Sequence, residues 1–474
     1  MNILFAASEL APYAKTGGLG DVVASLPAAL NECGHTVSVV IPLYRSVREQ
    51  FKGLKKSELH LNVALDEEKI PVPVWQGTTE DGVAVFAVQR DEFFDRAGLY
   101  GNEEGDYADS AARFAFFSRA VVELALYLEP QMDVIHAHDW HAALVPAYVR
   151  AWSLPFKTVL TVHNLAYQGV FPAHAFAHTD LPREYFSPEG IEFYGHVNFL
   201  KGGMMLAHAV TTVSPTYARE IQREEYGCGL HDVLAAHQYK LTGILNGIDT
   251  TMWNPADDPF LAASYSAEKP EGKAKCKADL LKTLQMKGGA DKPLIGMVSR
   301  LVEQKGVDLV LDSVEEILKR DIRLVVLGVG EKRYENAFTR LARKCPNQLK
   351  VKIGFDEKLA HQIEAGSDFF LMPSEFEPCG LNQFYSLRYG TIPIARDTGG
   401  LSDSITDWNG KEGTGFKFAE GTPAALLKKV DEALAVMKDP AGWAKLKGNA
   451  MRQDHSWQAR VGDYEKLYEQ LLKS

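Results

Sequence analysis

Short apolar runs alternate with helical patterns along both halves of the chain, and this alternation restricts the fold more than any other feature. Strands and helices that alternate in this way form parallel sheets with helices packed on both faces. The chain has 474 residues, which is more than a single hydrophobic core usually organises. The sequence therefore predicts an α/β protein with two domains of similar build.

The elements follow from apolar periodicity. The predicted strands of the first half lie at 2–7, 36–41, 83–88, 133–137, 158–162 and 210–213, with helices at 108–128 and 140–151. Those of the second half lie at 294–298, 323–327, 349–353, 368–372 and 391–395, with helices near 306–319, 331–343, 356–365, 380–389 and 422–436.

Two stretches depart from the alternation. Residues 52–82 are expected to form a β-hairpin insertion, with Gly82 after two acidic residues as a turn signal. Residues 257–291 are charged, and we expect them to be rich in loops. No low-complexity segment or short-period repeat interrupts either half.

The predicted domain boundary lies at a turn with Asn-Gly chemistry, Asn246-Gly247-Ile248-Asp249. We expect domains at 1–250 and 251–455, followed by a C-terminal helix at 456–474. That last segment is amphipathic, and its pattern alone is compatible with completion of the second domain.

Charge and cysteine content exclude several classes of protein. The net charge is 51 − 62 = −11, so no basic surplus exists to neutralise nucleic-acid phosphates or an anionic membrane. Five scattered cysteines without a CxxC pair indicate reduced thiols. No apolar run approaches the roughly 20 residues that span a bilayer, and no secretory leader precedes the first strand. We therefore expect a soluble cytoplasmic protein.

A glycine-rich turn follows the first predicted strand. The octet KTGGLGDV at 15–22 lies between that strand and a helix with apolar residues at helical spacing. Glycines allow backbone N–H groups to approach a ligand closely, and the following helix N-terminus favours an anion beside Lys15. The alternative is an ordinary connection in an α/β domain. The glycine spacing does not match the dinucleotide-binding fingerprint.

Two strand-to-helix junctions of the second half carry charged side chains. Arg300 and Lys305 follow the strand at 294–298, at the edge of the sheet where α/β proteins bind ligands. Together they can hold a pyrophosphate, although two solvated surface cations are an open alternative. Glu377, in the run EPCGL after 368–372, can accept hydrogen bonds from sugar hydroxyls or can cap the next helix.

Two weaker signals lie nearby. The turn Thr398-Gly399-Gly400 precedes a predicted helix at 401–406. Phe355 follows a strand end, where an aromatic ring can stack on a base or pack into the core.

The first half carries a cluster of histidines, in HAHDWH at 136–141 and in TVHNLAYQG at 161–169. Three histidines and an aspartate within six residues invite a metal hypothesis. Their spacing matches no structural zinc site, and we therefore expect no metal.

These motifs, in this order, resemble the bacterial glycogen synthases and plant starch synthases. The resemblance covers essentially the whole chain. It implies two Rossmann-like domains facing a deep cleft, the GT-B fold, with the last helix returning to the first domain. It also implies glucosyl transfer from ADP-glucose to the non-reducing 4-hydroxyl of an α-1,4-glucan, with retained configuration and no cofactor.

The resemblance also assigns residues to roles. The catalytic set is Glu377, His163, Arg300, Lys305 and Asp139. The donor-binding set is Lys15, Gly17, Gly18, Asp21, Asn246, Phe355, Cys379, Gly380, Leu381, Thr398, Gly399 and Gly400. The acceptor side holds Trp140, Asn164 and His196.

Other functions remain open alongside this one. A related enzyme could use UDP-glucose, because Phe355 can stack on adenine or uracil. A nucleotide-dependent oxidoreductase could also use paired Rossmann-like domains, although no GxGxxG follows a strand with an acidic residue about 20 positions on. A non-enzymatic sugar-nucleotide sensor would leave the acceptor positions unexplained.

Overall fold

The computed structural model describes residues 1–65, 68–102 and 105–473. These residues form two compact units. The N-terminal unit comprises Met1–Gly247 and Trp457–Ser474, and the C-terminal unit comprises Ile248–Ser456. The last helix of the chain therefore belongs to the N-terminal unit.

The N-terminal unit contains one large sheet and two small ones. Its strands, within the described residues, are β1 (Asn2–Ala6), β2 (Thr36–Pro42), β3 (Lys55–Leu65), β4 (Glu68–Thr78), β5 (Ala84–Val88), β6 (Gly101–Asn102), β7 (Gly105–Asp106), β8 (Val134–His138), β9 (Lys157–Val162), β10 (Val170–Pro172), β11 (Glu192–Phe193), β12 (His196–Asn198), β13 (Ala209–Thr212) and β14 (Leu241–Gly243). The large sheet has the order β14-β13-β9-β8-β1-β2-β5-β4-β3. It is parallel from β14 to β5, and β4 and β3 add antiparallel strands at one edge.

Helices accompany this sheet in sequence. They are α1 (Gly18–Glu32), α2 (Arg45–Gln50), α3 (Asp91–Phe94), α4 (Ser110–Tyr127), α5 (Asp139–Ala142), α6 (Val145–Ala151), α7 (Phe199–Leu206), α8 (Pro215–Glu220) and α9 (His231–Ala236). Strand β8, beside the central strand β1, is buried along its whole length, including its two histidines, His136 and His138.

The C-terminal unit is a six-stranded sheet with helices. Its strands are β15 (Leu294–Val298), β16 (Arg323–Gly328), β17 (Leu349–Ile353), β18 (Phe369–Met372), β19 (Ile392–Arg396) and β20 (Phe416–Phe418). All neighbours pair in parallel, in the order β17-β16-β15-β18-β19-β20. Its helices are α10 (Gly272–Thr283), α11 (Val307–Leu318), α12 (Lys332–Lys344), α13 (Glu357–Gly366), α14 (Asn382–Arg388), α15 (Gly399–Ser404), α16 (Pro423–Met437) and α17 (Pro440–Met451).

The chain ends in α18 (Val461–Lys473), which buries Val461, Tyr464 and Tyr468 in the core of the N-terminal unit. Just before it, Trp457 donates its indole N–H to Ser25 Oγ at 2.6 Å, which fixes this segment to α1. The amphipathic pattern of the last segment is therefore used within the first unit.

Three sequence-based expectations were wrong in detail. The stretch 257–291 contains helix α10, which has only a few apolar residues to bury and so gives a weak periodic signal. The predicted helix 140–151 is two short helices, α5 and α6. Gly82 lies between β4 and β5, so it is not the turn of the β3–β4 hairpin, whose central residues 66–67 lie outside the described residues.

Parallel strands place their carboxyl ends at one edge of each sheet, and the motifs follow those ends. In the N-terminal unit, Asp139 follows β8 and His163 follows β9. In the C-terminal unit, Arg300, Phe355 and the loop 373–381 follow β15, β17 and β18. This is the edge where open α/β sheets bind their ligands. No helix among the described residues is both long and apolar enough to cross a membrane.

Candidate active site

A buried carboxylate that sequence reasoning missed, Glu9, fixes the glycine turn before α1. Glu9 Oε2 accepts hydrogen bonds from the backbone N–H groups of Thr16 at 2.8 Å and Gly17 at 3.2 Å. Its Oε1 accepts from Thr16 Oγ1 at 2.5 Å and from the Tyr100 hydroxyl at 2.8 Å. Two carboxylate oxygens provide about four acceptor positions, so this set occupies them all. Glu9 therefore holds the turn rather than a ligand.

The turn presents a cation and a carboxylate that bind each other. Lys15 Nζ lies 2.6 Å from Asp21 Oδ1, and about a third of the Lys15 side chain is exposed. Gly17 is extended and directly precedes α1, while its N–H already donates to Glu9. The anion site predicted at this turn would therefore be centred on Lys15 and on the first residues of α1.

Asp139 holds the backbone at the end of β9. It has a positive φ of 54°, which is uncommon for a residue other than glycine, and it is buried. Its Oδ1 accepts from the backbone N–H of His163 at 2.7 Å, and the N–H of Asn164 also donates to it. Burial raises the pKa of Asp139 to about 7, although these two backbone hydrogen bonds act to lower it. The carboxylate therefore positions the peptide groups on either side of His163.

The histidines of the cluster bond to other side chains. His136 Nδ1 lies 2.7 Å from the Tyr468 hydroxyl, and its Nε2 lies 2.6 Å from Thr161 Oγ1. His138 Nδ1 lies 2.9 Å from His163 Nε2. Burial lowers the pKa of His136 and of His163 to about 3, so both rings are neutral at neutral pH.

Among the described residues, no group of three or more His, Cys, Asp or Glu side chains is arranged so that it could hold a metal ion. Both nitrogens of His136 contact hydroxyl groups, of Tyr468 and Thr161, and Nδ1 of His138 contacts Nε2 of His163.

The proposed acceptor residues differ in exposure. Trp140 is partly buried, and a Cβ at Gly169, where φ is +62°, would clash with its indole ring, so this glycine allows the close approach. His196 is exposed on β12, and its Nδ1 lies 3.1 Å from the Tyr194 carbonyl oxygen. Asn164 directly follows His163 and accepts from the Ala166 N–H through its own Oδ1 at 3.1 Å.

Asn246 lies shortly after β14 and is buried, with 4% of its surface exposed. Its Oδ1 has no hydrogen-bond partner among the described residues. A buried amide oxygen without a donor is costly, and such groups often mark a ligand contact.

In the C-terminal unit, Lys305 and Glu377 form a close ion pair. Lys305 Nζ lies 2.8 Å from Glu377 Oε1 and 2.6 Å from Oε2, and Ser374 Oγ donates to Oε2 at 2.9 Å. The Glu377 side chain is 5% exposed and that of Lys305 is 19% exposed. Lys305 is therefore not a solvated surface cation. Helix α14 begins at Asn382 without a side-chain cap, so Glu377 is not a helix cap either.

Two glycine loops pack against each other beside this pair. The Gly400 N–H donates to the Glu377 carbonyl oxygen at 3.0 Å. A Cβ at Gly400 would clash with the backbone of Cys379, which is 5% exposed. The loop Cys379-Gly380-Leu381 and the turn Thr398-Gly399-Gly400 therefore lie together, and α15 begins at Gly399 rather than at 401.

Two residues expected to meet a nucleotide are exposed. Phe355 follows β17 and is 80% exposed, so the alternative of core packing is wrong. Arg300 is also exposed, just after β15.

Comparisons with known proteins agree with these motifs. The family described as "Starch synthase catalytic domain" matches residues 2–236, and "Glycosyl transferases group 1" matches residues 285–446. A glycogen synthase from Opitutus terrae is 45% identical over 481 residues, covering 100% of both chains. One from an Anaeromyxobacter species is 47% identical over 479 residues, covering 99% of each. The chain belongs to the glycogen and starch synthase family.

Comparisons with solved structures agree with this result. The catalytic domain of starch synthase IV from Arabidopsis thaliana, bound to ADP and acarbose, has a TM-score of 0.92 and 35% identity, and the match covers 100% of this chain and 99% of that one. Sucrose-phosphate synthase from Thermosynechococcus elongatus has a TM-score of 0.61 at 17% identity, with 100% and 99% covered, and shows the fold alone. The family resemblance and the α/β GT-B fold class of two Rossmann-like domains are thus confirmed.

Family membership makes the chain a glucosyltransferase of the glycogen and starch synthase type, which excludes the oxidoreductase alternative. The roles of individual residues stay predictions. The structure brings together Lys305 with Glu377, and Asp139 with His163.

Proposed function

We propose that the protein transfers the glucosyl group of ADP-glucose to the non-reducing 4-hydroxyl of an α-1,4-glucan, with retained configuration. The observation that carries this proposal is the similarity to the starch synthase IV catalytic domain, because that protein was solved with ADP and with acarbose bound. The glycogen synthases that match over the whole chain support the same reaction.

The leaving diphosphate is assigned to the cations and glycine turns of the C-terminal unit. Lys305 directs two of its contacts to Glu377, and an ammonium group has three N–H bonds, so one is left for a phosphate oxygen. Arg300 supplies a second positive charge after β15. The turn Thr398-Gly399-Gly400 adds backbone donors, and Lys15 with Gly17 and Gly18 adds a further cationic turn. These groups stabilise the charge that grows on ADP as it leaves.

Glu377 is assigned to the glucosyl group as a hydrogen-bond acceptor. Lys305 and Ser374 compensate its charge, and a carboxylate held in this way is a weak nucleophile. The mechanism is therefore a front-face substitution: ADP leaves, its phosphate takes the proton of the acceptor hydroxyl, and the new bond forms on the same side. No glucosyl-enzyme forms. Cys379, Gly380 and Leu381 line this position.

The glucosyl and acceptor sides are assigned to the N-terminal unit. Asp139 fixes the backbone around His163, whose carbonyl oxygen can steady an oxocarbenium ion. Asn246 offers its buried amide oxygen to a glucose hydroxyl. Trp140, Asn164 and His196 serve the glucan.

The base is assigned to Phe355, whose exposed ring can stack on a purine or a pyrimidine. Stacking alone does not choose between bases, so the preference for ADP-glucose over UDP-glucose rests on the similar starch synthase. We also assign the protein to the cytoplasm, in keeping with its five free cysteines.

A chain-extension assay tests this function. The purified protein is incubated with maltohexaose and radiolabelled ADP-glucose, and in parallel with radiolabelled UDP-glucose. We expect a ladder of longer maltooligosaccharides with ADP-glucose that β-amylase digests fully, as α-1,4 linkages require. The Lys305→Met protein, matched in side-chain length, is the control for contaminating activity. No extension, or faster extension with UDP-glucose, would overturn the proposal.

A further inference from the structure

A second histidine holds the imidazole ring of His163. His138 Nδ1 lies 2.9 Å from His163 Nε2. His138 is completely buried at the end of β8, and its ring stacks on Phe5 and on His136 with centroid separations of 5.0 Å and 4.3 Å. His163, taken as a whole residue, is only partly buried. His138 is therefore the fixed member of the pair.

One proton lies between the two facing nitrogens. Burial lowers the pKa of both imidazoles, that of His163 to about 3, so each ring is neutral and carries one N–H. Either His138 donates from Nδ1 or His163 donates from Nε2. Hydrogen positions follow from the surrounding hydrogen bonds, and here the other nitrogen of His138 decides between the two.

His138 Nε2 is buried and has no hydrogen-bond partner within the described residues. If His163 donated, the proton of His138 would lie on Nε2, as a buried N–H without an acceptor. If His138 donates, Nε2 is only an unused lone pair. Buried donors without partners are rarer than acceptors without partners. The second arrangement is favoured, and it places the proton of His163 on Nδ1.

We propose that His138 is a positioning residue for glucosyl transfer, which donates from Nδ1 to His163 Nε2 and thereby fixes the ring and tautomer of His163. The Nδ1–H of His163, the nitrogen that His138 does not engage, is then a permanent donor to an oxygen of the reacting sugar. This assignment rests on the proposed function, in which His163 faces the sugar. Without His138 the ring of His163 can turn and exchange tautomers. Nδ1 of His163 then presents a lone pair to the sugar oxygen, instead of an N–H, for part of the time.

The tautomer is measured directly in the full-length protein. Histidine labelled with nitrogen-15 in the ring gives distinct shifts for the two neutral tautomers and for imidazolium, and His163→Gln identifies the signals of His163. We expect the Nδ1–H tautomer at neutral pH. The Nε2–H tautomer, or a charged ring, would overturn the proposal. Because no turnover is involved, this result is independent of whether the protein uses ADP-glucose at all.

Two substitutions of His138 separate its hydrogen bond from its packing. His138→Phe keeps a buried ring without a donor, whereas His138→Asn keeps an N–H near the place of Nδ1. We expect kcat to fall about tenfold in the Phe variant, as the loss of one such bond allows. Affinity for ADP should be unchanged, and the Asn variant should recover most of kcat. Equal losses in both variants, or a parallel loss of ADP affinity, would contradict the proposal.

Tyr468→Phe is the matched control. It removes the contact of the Tyr468 hydroxyl with His136 Nδ1, 2.7 Å long, in the same histidine stack. We expect a melting temperature lower by about 2 °C, with the tautomer of His163 and kcat unchanged. A changed tautomer in this control would show that general loosening of the stack, rather than His138, sets the state of His163. If His138→Phe fails to fold, the wild-type tautomer and the Asn variant decide.

Discussion

The two units prepare their site residues in opposite ways. In the C-terminal unit the side chains at the sheet edge are charged, and Lys305 and Glu377 compensate each other across 2.6 Å. In the N-terminal unit the histidines at the corresponding edge are buried and neutral, and they bond to each other and to hydroxyl groups. Charge suits a departing diphosphate, whereas neutral, rigid donors and carbonyl groups suit a sugar whose ring becomes positive. Under the proposed function, this difference corresponds to a division of labour, in which the C-terminal unit serves the leaving group and the N-terminal unit serves the glucosyl group.

The largest effect should come from removing a cation of the C-terminal unit. Lys305→Ala and Arg300→Ala should each lower kcat by about 10²–10³-fold, because a lost contact to a developing charge costs roughly 3–4 kcal/mol in comparable sites. Lys15→Ala should act in the same direction but more mildly. Steady-state kinetics at saturating donor measures this, and wild-type rates in Lys305→Ala would remove that residue from the mechanism.

Lys305→Ala also leaves Glu377 buried without its partner, so a loss of stability must be separated from the loss of activity. The double variant Lys305→Met/Glu377→Gln removes both charges. We expect the single variant to be less stable by a few kcal/mol and the double variant to regain much of that stability. The double variant should stay inactive. Recovery of activity together with stability would show that the pair is only structural.

The next largest effect should be that of acid pH, which we expect to change the stability of the two units in different directions. Burial depresses the pKa values of His136, His138 and His141, so their contribution to stability is complete above pH 6.5 and is lost as pH falls. At pH 5 this amounts to about 2 kcal/mol for His136, whose pKa burial lowers to about 3, at 1.36 kcal/mol per pKa unit. Asp139, with its pKa raised to about 7, acts in the opposite sense and returns about 2 kcal/mol between pH 7 and pH 5.

The C-terminal unit should respond with the opposite sign. Burial raises the pKa of Glu364 to about 8, so protonation stabilises this unit as pH falls from 8 towards 4.5. Lys273, whose pKa burial lowers from 10.5 to about 7, changes the stability mostly between those two pH values, above the interval from pH 7 to pH 5. Hydrogen exchange at pH 7 and pH 5, corrected for intrinsic rates, should show protection falling in the N-terminal unit and holding in the other. Earlier loss of protection in the C-terminal unit would contradict this account.

A smaller effect is expected at Glu9. Glu9→Gln removes the charge and leaves one acceptor oxygen, so the N–H groups of Thr16 and Gly17 meet a neutral amide oxygen in place of a carboxylate. We expect kcat/KM for the donor to fall roughly thirtyfold, which corresponds to about 2 kcal/mol, because the hydrogen bonds to the charged Glu9 carboxylate are lost. Tyr100→Phe removes one neutral donor to the same carboxylate, and it should lower kcat/KM for the donor fivefold or less. Equal effects of the two variants would show that the turn does not depend on the Glu9 charge.

The smallest expected effect is that of metal removal. Cations and backbone donors stand at the assigned phosphate positions, so EDTA should leave chain extension unchanged. Activity abolished by EDTA and restored by Mg²⁺ or Mn²⁺ would overturn this prediction.

The sequence predicted the C-terminal site better than the N-terminal one, for a physical reason. Lys305, Glu377 and Gly400 belong to compact strand–loop–helix motifs, so local spacing already indicates their neighbours. Glu9 was missed because a lone carboxylate near a strand end gives no pattern of its own. The alternating strands were confirmed because buried parallel strands are continuous apolar runs, whereas α10 was missed because it buries little.

Long-range contacts explain the rest. The pairing of His138 with His163 joins the ends of two strands that are 25 residues apart in sequence, and Tyr468 meets His136 across 332 residues. No local sequence motif indicates a contact between residues that are so far apart in the chain. The neutral state of the histidines follows from burial, which becomes visible only when the sheet is assembled.

The division of labour is tested most directly by binding of ADP alone, measured by titration calorimetry in two variants. Lys305→Ala removes a cation of the C-terminal unit, and Asp139→Asn changes the N-terminal cluster while keeping an oxygen acceptor for the His163 N–H. We expect Lys305→Ala to weaken ADP binding at least about tenfold, as one lost charge-assisted contact implies, and Asp139→Asn to leave it unchanged. Equal weakening in both variants, or a loss confined to Asp139→Asn, would contradict the account.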